Sequence, residues 1–358
     1  MIAVEKDTRL PVTIVTGFLG SGKTTFLRRS LEEGRLSDAL LIFNEAAPYG
    51  VDDKLLGGNA SGVALLANGC ICCRIDKGVK EELHRILALN GRSLHFESVV
   101  IELSGLADPV AVIATIASDP YLNGQMRIAL VVTLVDCHHA TDSDGEQPEH
   151  RRQIEAADII LLSKADIATH EQRRTAERLA ADAAPLAPCL DGGELRLGDL
   201  ETHAIGLRAD RLSAAKFRGL GRIRLAGSGI EAEVPQAPLY CQALDAVSFC
   251  IRIDGHLDWT CLSLWLSLLL HVHGEKVLRI KGFLTVEGAS TPILINCVRH
   301  VVYFPEHVDG WSGEASASFL VFIVQQIDPE LLMRSFHACI EASRNGEKLS
   351  LSMVRQDL

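Results

Sequence analysis

The sequence predicts an α/β protein, with a mostly parallel sheet flanked by helices in its first half and a smaller α/β domain at its end. Three observations predict it. Short apolar runs alternate with helical stretches over the first 180 or so residues; one β-branched run leads through a Gly-rich turn directly into a helix; and the alternation lapses before a second set of strands and helices resumes.

The first run, residues 10–16 (LPVTIVT), reads as a strand, and TTFLRRSLEE after the turn has helical spacing. Further strands are predicted at Ala39–Phe43, Ser98–Glu102, Ile128–Val135 and Ile159–Leu162, with helices at Val79–Leu89 and Glu171–Ala183. Strands separated by helices imply βαβ units and a parallel sheet. The polar stretch Thr141–Arg152 (TDSDGEQPEHRR) is expected to be a surface loop. From about Leu186 to Pro238 Gly and Pro scatter among charges, as at a domain end and linker. Beyond it, Ala246–Ile253, Val277–Val286, Pro292–Val302 and Phe319–Gln325 read as strands, and Leu257–Leu270 and Pro329–Glu341 as helices. The expected division is therefore 1–188, a linker at 189–240, and 241–358.

Composition excludes several classes of function. At 358 residues and 47% hydrophobic, the chain can bury two cores. Lys and Arg total 35 against 46 Asp and Glu, a formal charge of −11, which provides no electrostatic footprint for nucleic acid. The opening MIAVEKDTRL lacks the apolar core of a secretory signal, so a cytoplasmic location is expected. The most apolar stretch, Trp259–Leu270, is a dozen residues long, where a membrane span needs about 20. Ten cysteines in such a chain are expected to be reduced, and Cys189, Cys250, Cys261, Cys297 and Cys339 to be small core residues.

Residues 17–24 read Gly17-Phe18-Leu19-Gly20-Ser21-Gly22-Lys23-Thr24, a full match to G-x-x-x-x-G-K-[ST] in its strand–loop–helix setting. The glycines let backbone amides turn inward on phosphates, the helix presents its N-terminus to the same anion, Lys23 adds charge at the β/γ-phosphates, and Thr24 offers a hydroxyl to Mg²⁺. A nucleotide site of this kind needs a polar group at the end of another strand. Ser98–Glu102 ends in Glu102, and Gly105 follows with an amide able to meet a γ-phosphate. Ile159–Leu162 runs into Ser163-Lys164-Ala165-Asp166, close to the N-K-x-D pattern in which Asp accepts from guanine and the Lys stem covers the base. Ser163 stands where that pattern has Asn.

Asn68-Gly69-Cys70-Ile71-Cys72-Cys73 packs three thiols into four residues. Thiolates suit Zn²⁺, Cu⁺ or a late first-row divalent ion, and a tetrahedral site would draw further ligands from elsewhere, with Glu45 and His139 as candidates. A redox dithiol, a structural zinc site and plain buried thiols are the competing readings. His138-His139 follows Asp136 at a strand end, and His271-Val272-His273 closes the apolar helix.

In order over residues 10–167, GFLGSGKTT, NE with a downstream G-V-D, NGCICC, VVIELSGLADP, VVTLVD and AADIILLSKAD resemble the CobW family of metal-chaperone GTPases. Val277–Phe283, Trp311 and Phe319–Ile323 resemble that family's C-terminal domain. The resemblance implies that Gly17, Gly20, Ser21, Gly22, Lys23, Thr24 and Thr25 hold phosphates and Mg²⁺, that Glu102 and Gly105 sense the γ-phosphate, and that Ser163, Lys164 and Asp166 face guanine. It implies that Cys70, Cys72 and Cys73 carry Zn²⁺ or Co²⁺, with Glu45 as an oxygen ligand and His139 at a secondary site. It also implies a client metalloprotein or metal-dependent biosynthetic enzyme as partner, with the chain a monomer or weak homo-oligomer. Two departures from the family pattern stand out: Asn44-Glu45-Ala46-Ala47-Pro48 replaces the usual N-E-F-G-E, and Ser163 replaces Asn. A regulatory GTPase with a structural zinc, and a P-loop kinase with redox cysteines, are the alternative functions.

Overall fold

A computed structural model describes residues 7–34, 36, 38–43, 62–65, 75–90, 95–140, 147–184, 187–193, 195–198, 200, 220–224, 230–235, 246–308 and 317–344. These residues form two compact units. The first contains β1 (Leu10–Gly17), α1 (Lys23–Glu32), β2 (Ala39–Phe43), β3 (Gly62–Leu65), α2 (Ile75–Leu89), β4 (Ser98–Glu102), α3 (Pro109–Ser118), α4 (Pro120–Gln125), β5 (Met126–Asp136), α5 (Pro148–Glu155), β6 (Ile159–Ser163), α6 (His170–Ala183) and β7 (Cys189–Asp191).

Its seven strands run in the order β3-β2-β4-β1-β5-β6-β7, and every pairing is parallel. A parallel sheet is covered on both faces, so its central strands should be apolar without alternation, and β1, β4 and β5 are buried almost throughout. Val12, Ile14, Val15, Val99, Val131 and Val132 are fully buried. Each such side chain contributes roughly 1.5–3 kcal/mol relative to exposure. Register sets the functional edge: Val15 lies beside Glu102, Gly17 beside Leu134, and Asp136 beside Ser163. All four strand ends therefore open on the same side, beside β1, where the connections reverse: β1 to β2 runs toward one edge of the sheet and β4 to β5 crosses toward the other, the crevice in which open parallel sheets bind ligands.

The helices follow local rules. Asp108 caps α3 by accepting from the Val110 amide, with Pro109 at the first helical position. Thr169 and Gln172 form a reciprocal capping box at the start of α6. Asp119 caps α4 through the amides of Tyr121 and Leu122, while its other oxygen lies 2.7 Å from Lys80 Nζ and 3.2 Å from His84 Nε2 on α2. The Lys80 contact, joined by the cap and His84, holds the Asp119 carboxyl well below the usual carboxylate range against the opposing effect of burial. A depressed carboxyl stabilises the fold above its unfolded value of about 4, and that contribution disappears as pH falls toward the folded value. Asp119→Asn keeps an acceptor for the cap, so the expected result in thermal melts is a smaller gap between the variant and the native chain in acid than at neutral pH. Equal gaps across that range would contradict the linkage.

The second unit is antiparallel. The second sheet holds β8 (Leu220–Arg224), β9 (Ile230–Pro235), β10 (Ala246–Asp254), β11 (Val277–Leu284), β12 (Ile293–Val298), β13 (Val301–Val302), β14 (Glu306–His307) and β15 (Ala317–Gln325), ordered β13-β12-β11-β15-β10-β9-β8 with β14 pairing to β12. Helices Trp259–His273 and Pro329–Arg344 supply Trp265, Leu266, Leu270, Met333 and Phe336 to a core shared with Phe249 and Phe322. The Trp265 ring meets Phe336 edge-on at 4.7 Å, and its indole N–H donates to Ser335 Oγ.

Several expectations are corrected. Residues 148–152, read as surface loop, begin helix α5, because His150, Arg151 and Gln153 are buried and Arg151 pairs with Glu155 at 3.0 Å. The single strand expected at Pro292–Val302 is divided at Arg299, whose left-handed φ of 51° turns the chain. Cys261 and Cys339, expected as separate reduced thiols, form a disulfide between the two helices, their Cα atoms 6.5 Å apart. Within the stretch read as domain end and linker, residues 189–191 form β7 on the first sheet, and β8 and β9 join the second. No helix among the described residues is long and apolar enough to cross a membrane.

Candidate nucleotide-binding site

The sequence between β1 and α1 folds as a phosphate loop because glycines occupy its special positions. Gly20 and Gly22 have φ of 77° and 88°, in the left-handed region, and a Cβ at either would meet no neighbour among the described residues, so conformation selects glycine. Gly22 is the N-cap of α1, and no side chain among the described residues caps that helix. Its first-turn amides are left for an anion.

Lys23, 7% exposed, donates to the carbonyls of Gly17 at 2.8 Å and Phe18 at 3.1 Å. The ammonium thus lies along the loop. The Thr24 hydroxyl donates to Glu102 Oε1 at 2.6 Å, joining the helix start to the end of β4. Gly20, Gly22, Lys23, Thr24, Thr25, Glu102, Leu103 and Ser104 line a cavity of about 270 Å³. The hydroxyls of Ser21 and Ser104 are buried and find no hydrogen-bond partner among the described residues. A cavity with an ammonium, unfilled amides and unpartnered hydroxyls has the donor set of a polyphosphate site, and Thr24 beside Glu102 has the oxygen ligands Mg²⁺ prefers.

Gly105 follows on from β4, and a Cβ there would sit 2.7 Å from Leu19 Cα, so the loop after β4 lies directly on the phosphate loop. The Ala107 amide donates to Ser104 O, closing a tight turn.

The residues expected to face the base, Ser163, Lys164 and Asp166, lie at and just beyond the end of β6, beside Asp136 at the end of β5. Lys164 Nζ lies 2.6 Å from Asp136 Oδ2, and His139 Nδ1 lies 2.8 Å from the same oxygen. Burial opposes the Asp136 charge, but the Lys164 hydrogen bond, helped by His139, outweighs it and keeps the carboxyl below its usual range. Lys164 takes a left-handed φ of 54°, and the Ser163 hydroxyl donates to Val135 O. Asp166 is exposed beyond them. The Asp136–Lys164 pair was not singled out in the sequence; its signal was the acid ending the VVTLVD strand.

His139 is placed on Asp136, and no group of three or more potential metal ligands occurs among the described residues. Cys70, Cys72, Cys73 and Glu45 lie outside the described residues. The nearby Cys137 is no thiolate, because burial pushes its thiol up to about 12.

Comparison with known proteins agrees with this geometry. Residues 11–191 match the CobW/HypB/UreG nucleotide-binding domain, and residues 246–340 match the cobalamin synthesis protein cobW C-terminal domain. The chain is 31% identical over 331 residues to the zinc chaperone YjiA of Escherichia coli K12, covering 91% of this chain and 98% of that one. It is 28% identical to the zinc chaperone CobW of Pseudomonas aeruginosa, over 89% of this chain and 88% of that one. The crystal structure of Zn(II)-bound YjiA GTPase from E. coli superposes with a TM-score of 0.59 at 27% identity, covering 92% of this chain and 99% of that one. The chain belongs to the CobW/HypB/UreG family of P-loop GTPases.

Proposed function

We propose that this chain is a GTP-hydrolysing metallochaperone that binds a divalent metal, zinc first and cobalt second, through Cys70, Cys72 and Cys73 and transfers it to a client metalloprotein. The observation that carries the reading is the direction of the first sheet. β2 and β3 are parallel to β4 and end, at Phe43 and Leu65, on the edge that bears Thr24 and Glu102. Glu45 follows Phe43 by two residues and Cys70 follows Leu65 by five, so the strand that precedes each candidate ligand ends on the phosphate side. The names of the relatives, zinc chaperones, support the choice of ion.

The residues divide the work. The first-turn amides of α1 and Ser21 hold phosphate oxygens, and Lys23 swings from its own loop carbonyls to the β/γ-phosphates as a point charge. Thr24 and Glu102 would hold Mg²⁺, which when bound neutralises charge between the phosphate oxygens. Glu102 and Gly105, at the end of β4 and on the loop after it, register the presence of the γ-phosphate. Asp166 accepts from guanine while the Lys164 stem, held by Asp136, covers the base. Hydrolysis removes the γ-phosphate and with it the gain in metal affinity at Glu45 and the cysteines, releasing metal to the client.

Linkage requires GTP and metal to strengthen each other's binding equally. The test is Zn²⁺ and Co²⁺ affinity by chelator competition in reducing buffer, with Mg²⁺ and either GDP or a non-hydrolysable GTP analogue. The triphosphate form is expected to bind metal roughly tenfold more tightly, about 1.4 kcal/mol, and Cys72→Ala to abolish that difference. Affinity indifferent to nucleotide would instead make the site a structural zinc and the chain a regulatory GTPase.

A further inference from the structure

Helix α5 contributes no residue to the cavity, yet it touches both loops that form the cavity's floor. His150, on its first turn, lays its ring against Phe18 of the phosphate loop, centroids 5.2 Å apart. Arg152 Nη1 approaches Asp108, the cap of α3, at 3.6 Å. Between these two loops lies Gln153, fully buried, whose Nε2 donates to the carbonyls of Gly105 at 3.0 Å and Ala107 at 3.1 Å. Its backbone carbonyl accepts from the buried Thr133 hydroxyl on β5 at 2.8 Å, which ties the helix backbone at Gln153 to the sheet.

The orientation of this amide is settled by its surroundings. Two carbonyls face it, so the NH₂ group must point toward them, since the reverse orientation sets three acceptors against one another. The consequence is that Oε1 is buried with no hydrogen-bond partner among the described residues. A buried amide oxygen without a partner is costly, and an apolar side chain of similar size would avoid it. The position tolerates the cost because both protons of the amide are in use. They span the turn Ser104–Ala107, the segment that lies against Leu19 through Gly105.

We propose that Gln153 is a positioning residue for GTP hydrolysis, a two-pronged clamp that sets the loop after β4 at the height where the Gly105 amide meets the γ-phosphate. The inference rests on the reading of Gly105 as the γ-phosphate sensor. The clamp acts through that loop and touches no reacting atom. Because α5 leads within four residues into β6, the strand that ends at Ser163 ahead of Lys164-Ala165-Asp166, the same helix connects the γ-phosphate loop to the base-facing strand. Diphosphate binding, which depends on the phosphate loop and the base site, does not need the clamp.

The test uses the full chain with Mg²⁺. Gln153→Met keeps the volume and removes both donors. Its kcat for GTP is expected to fall about tenfold, as for a sub-ångström misplacement of a charge-stabilising group, with the preference for a non-hydrolysable GTP analogue over GDP falling by a similar factor. GDP affinity should stay within about twofold, a split that a merely structural role would not produce. Should that variant fail to fold, Gln153→Asn, whose amide on a shorter stem cannot span both carbonyls, takes its place with the same expectation. A folded variant with native kcat and native preference overturns the clamp, as does a parallel loss of GDP and analogue affinity together with a lowered melting temperature. Gly105→Ala, measured alongside, separates the two ideas: loss of triphosphate preference there with none in Gln153→Met overturns the clamp alone, whereas native preference in Gly105→Ala removes the sensor and the clamp together.

Discussion

Replacing Lys23 with alanine is expected to reduce kcat/KM for GTP by about 10²–10³, equivalent to roughly 2.7–4 kcal/mol of transition-state stabilisation. Phosphoryl transfer offers the protein little covalent work, so positioning and charge carry the rate, and Lys23 is the cation built into the loop itself. It lies 7% exposed, held by the Gly17 and Phe18 carbonyls, so its ammonium is already desolvated and close to where the phosphates lie. Desolvation raises the value of each unit of charge. The same contacts mean that removal leaves two carbonyls without this donor, and a circular-dichroism melt is needed beside the kinetics. A native melting temperature with the expected loss assigns the effect to catalysis and binding. Activity within about threefold of native would remove Lys23 from the phosphate site.

What the sequence made legible is what local chemistry dictates. The phosphate loop needs particular φ angles within eight consecutive residues, so glycine spacing announced it, and β2 and β4 were read with the bounds the structure has because a buried parallel strand is a continuous apolar run. Other parts depend on partners far away in sequence. The start of α5, up to Arg152, looked like a polar loop because the partners that let it be buried lie outside that stretch: Glu155 neutralises Arg151, and Gln153 finds its acceptors 46 and 48 residues upstream. The Asp136–Lys164 pair spans 28 residues, and the acid ending the VVTLVD strand marks only one half of it. Strands β3 and β7, of four and three residues, are too short to show a period. The disulfide between Cys261 and Cys339 closes 78 residues, and nothing in the local sequence of either cysteine points to the other.

Glycine in the second unit supplies the other large effect. Gly282 sits in β11 between β12 and β15, opposite Ile295 and Leu320. A Cβ there would fall 1.8 Å from the Phe319 carbonyl oxygen and 2.8 Å from its carbon, both backbone atoms that no rotamer change can move. Gly282→Ala must therefore spread β11 from β15, breaking the ladder that holds Leu320 and Phe322 against Trp265 and Phe336. Overpacking costs typically 1–3 kcal/mol and more where backbone has to give, out of a total stability of about 5–15. The upper end is expected here. Gly288 makes the comparison, because its φ of 80° favours glycine while a Cβ would meet nothing within 4 Å. Gly288→Ala strains one residue and is expected to cost about 1–2 kcal/mol. All three tryptophans, Trp259, Trp265 and Trp311, lie in this half of the sequence, so urea unfolding followed by tryptophan fluorescence reads its stability directly. If Gly282→Ala shifts the midpoint no more than Gly288→Ala does, the sheet accommodates a methyl group between β11 and β15, and space is not what selects glycine at position 282.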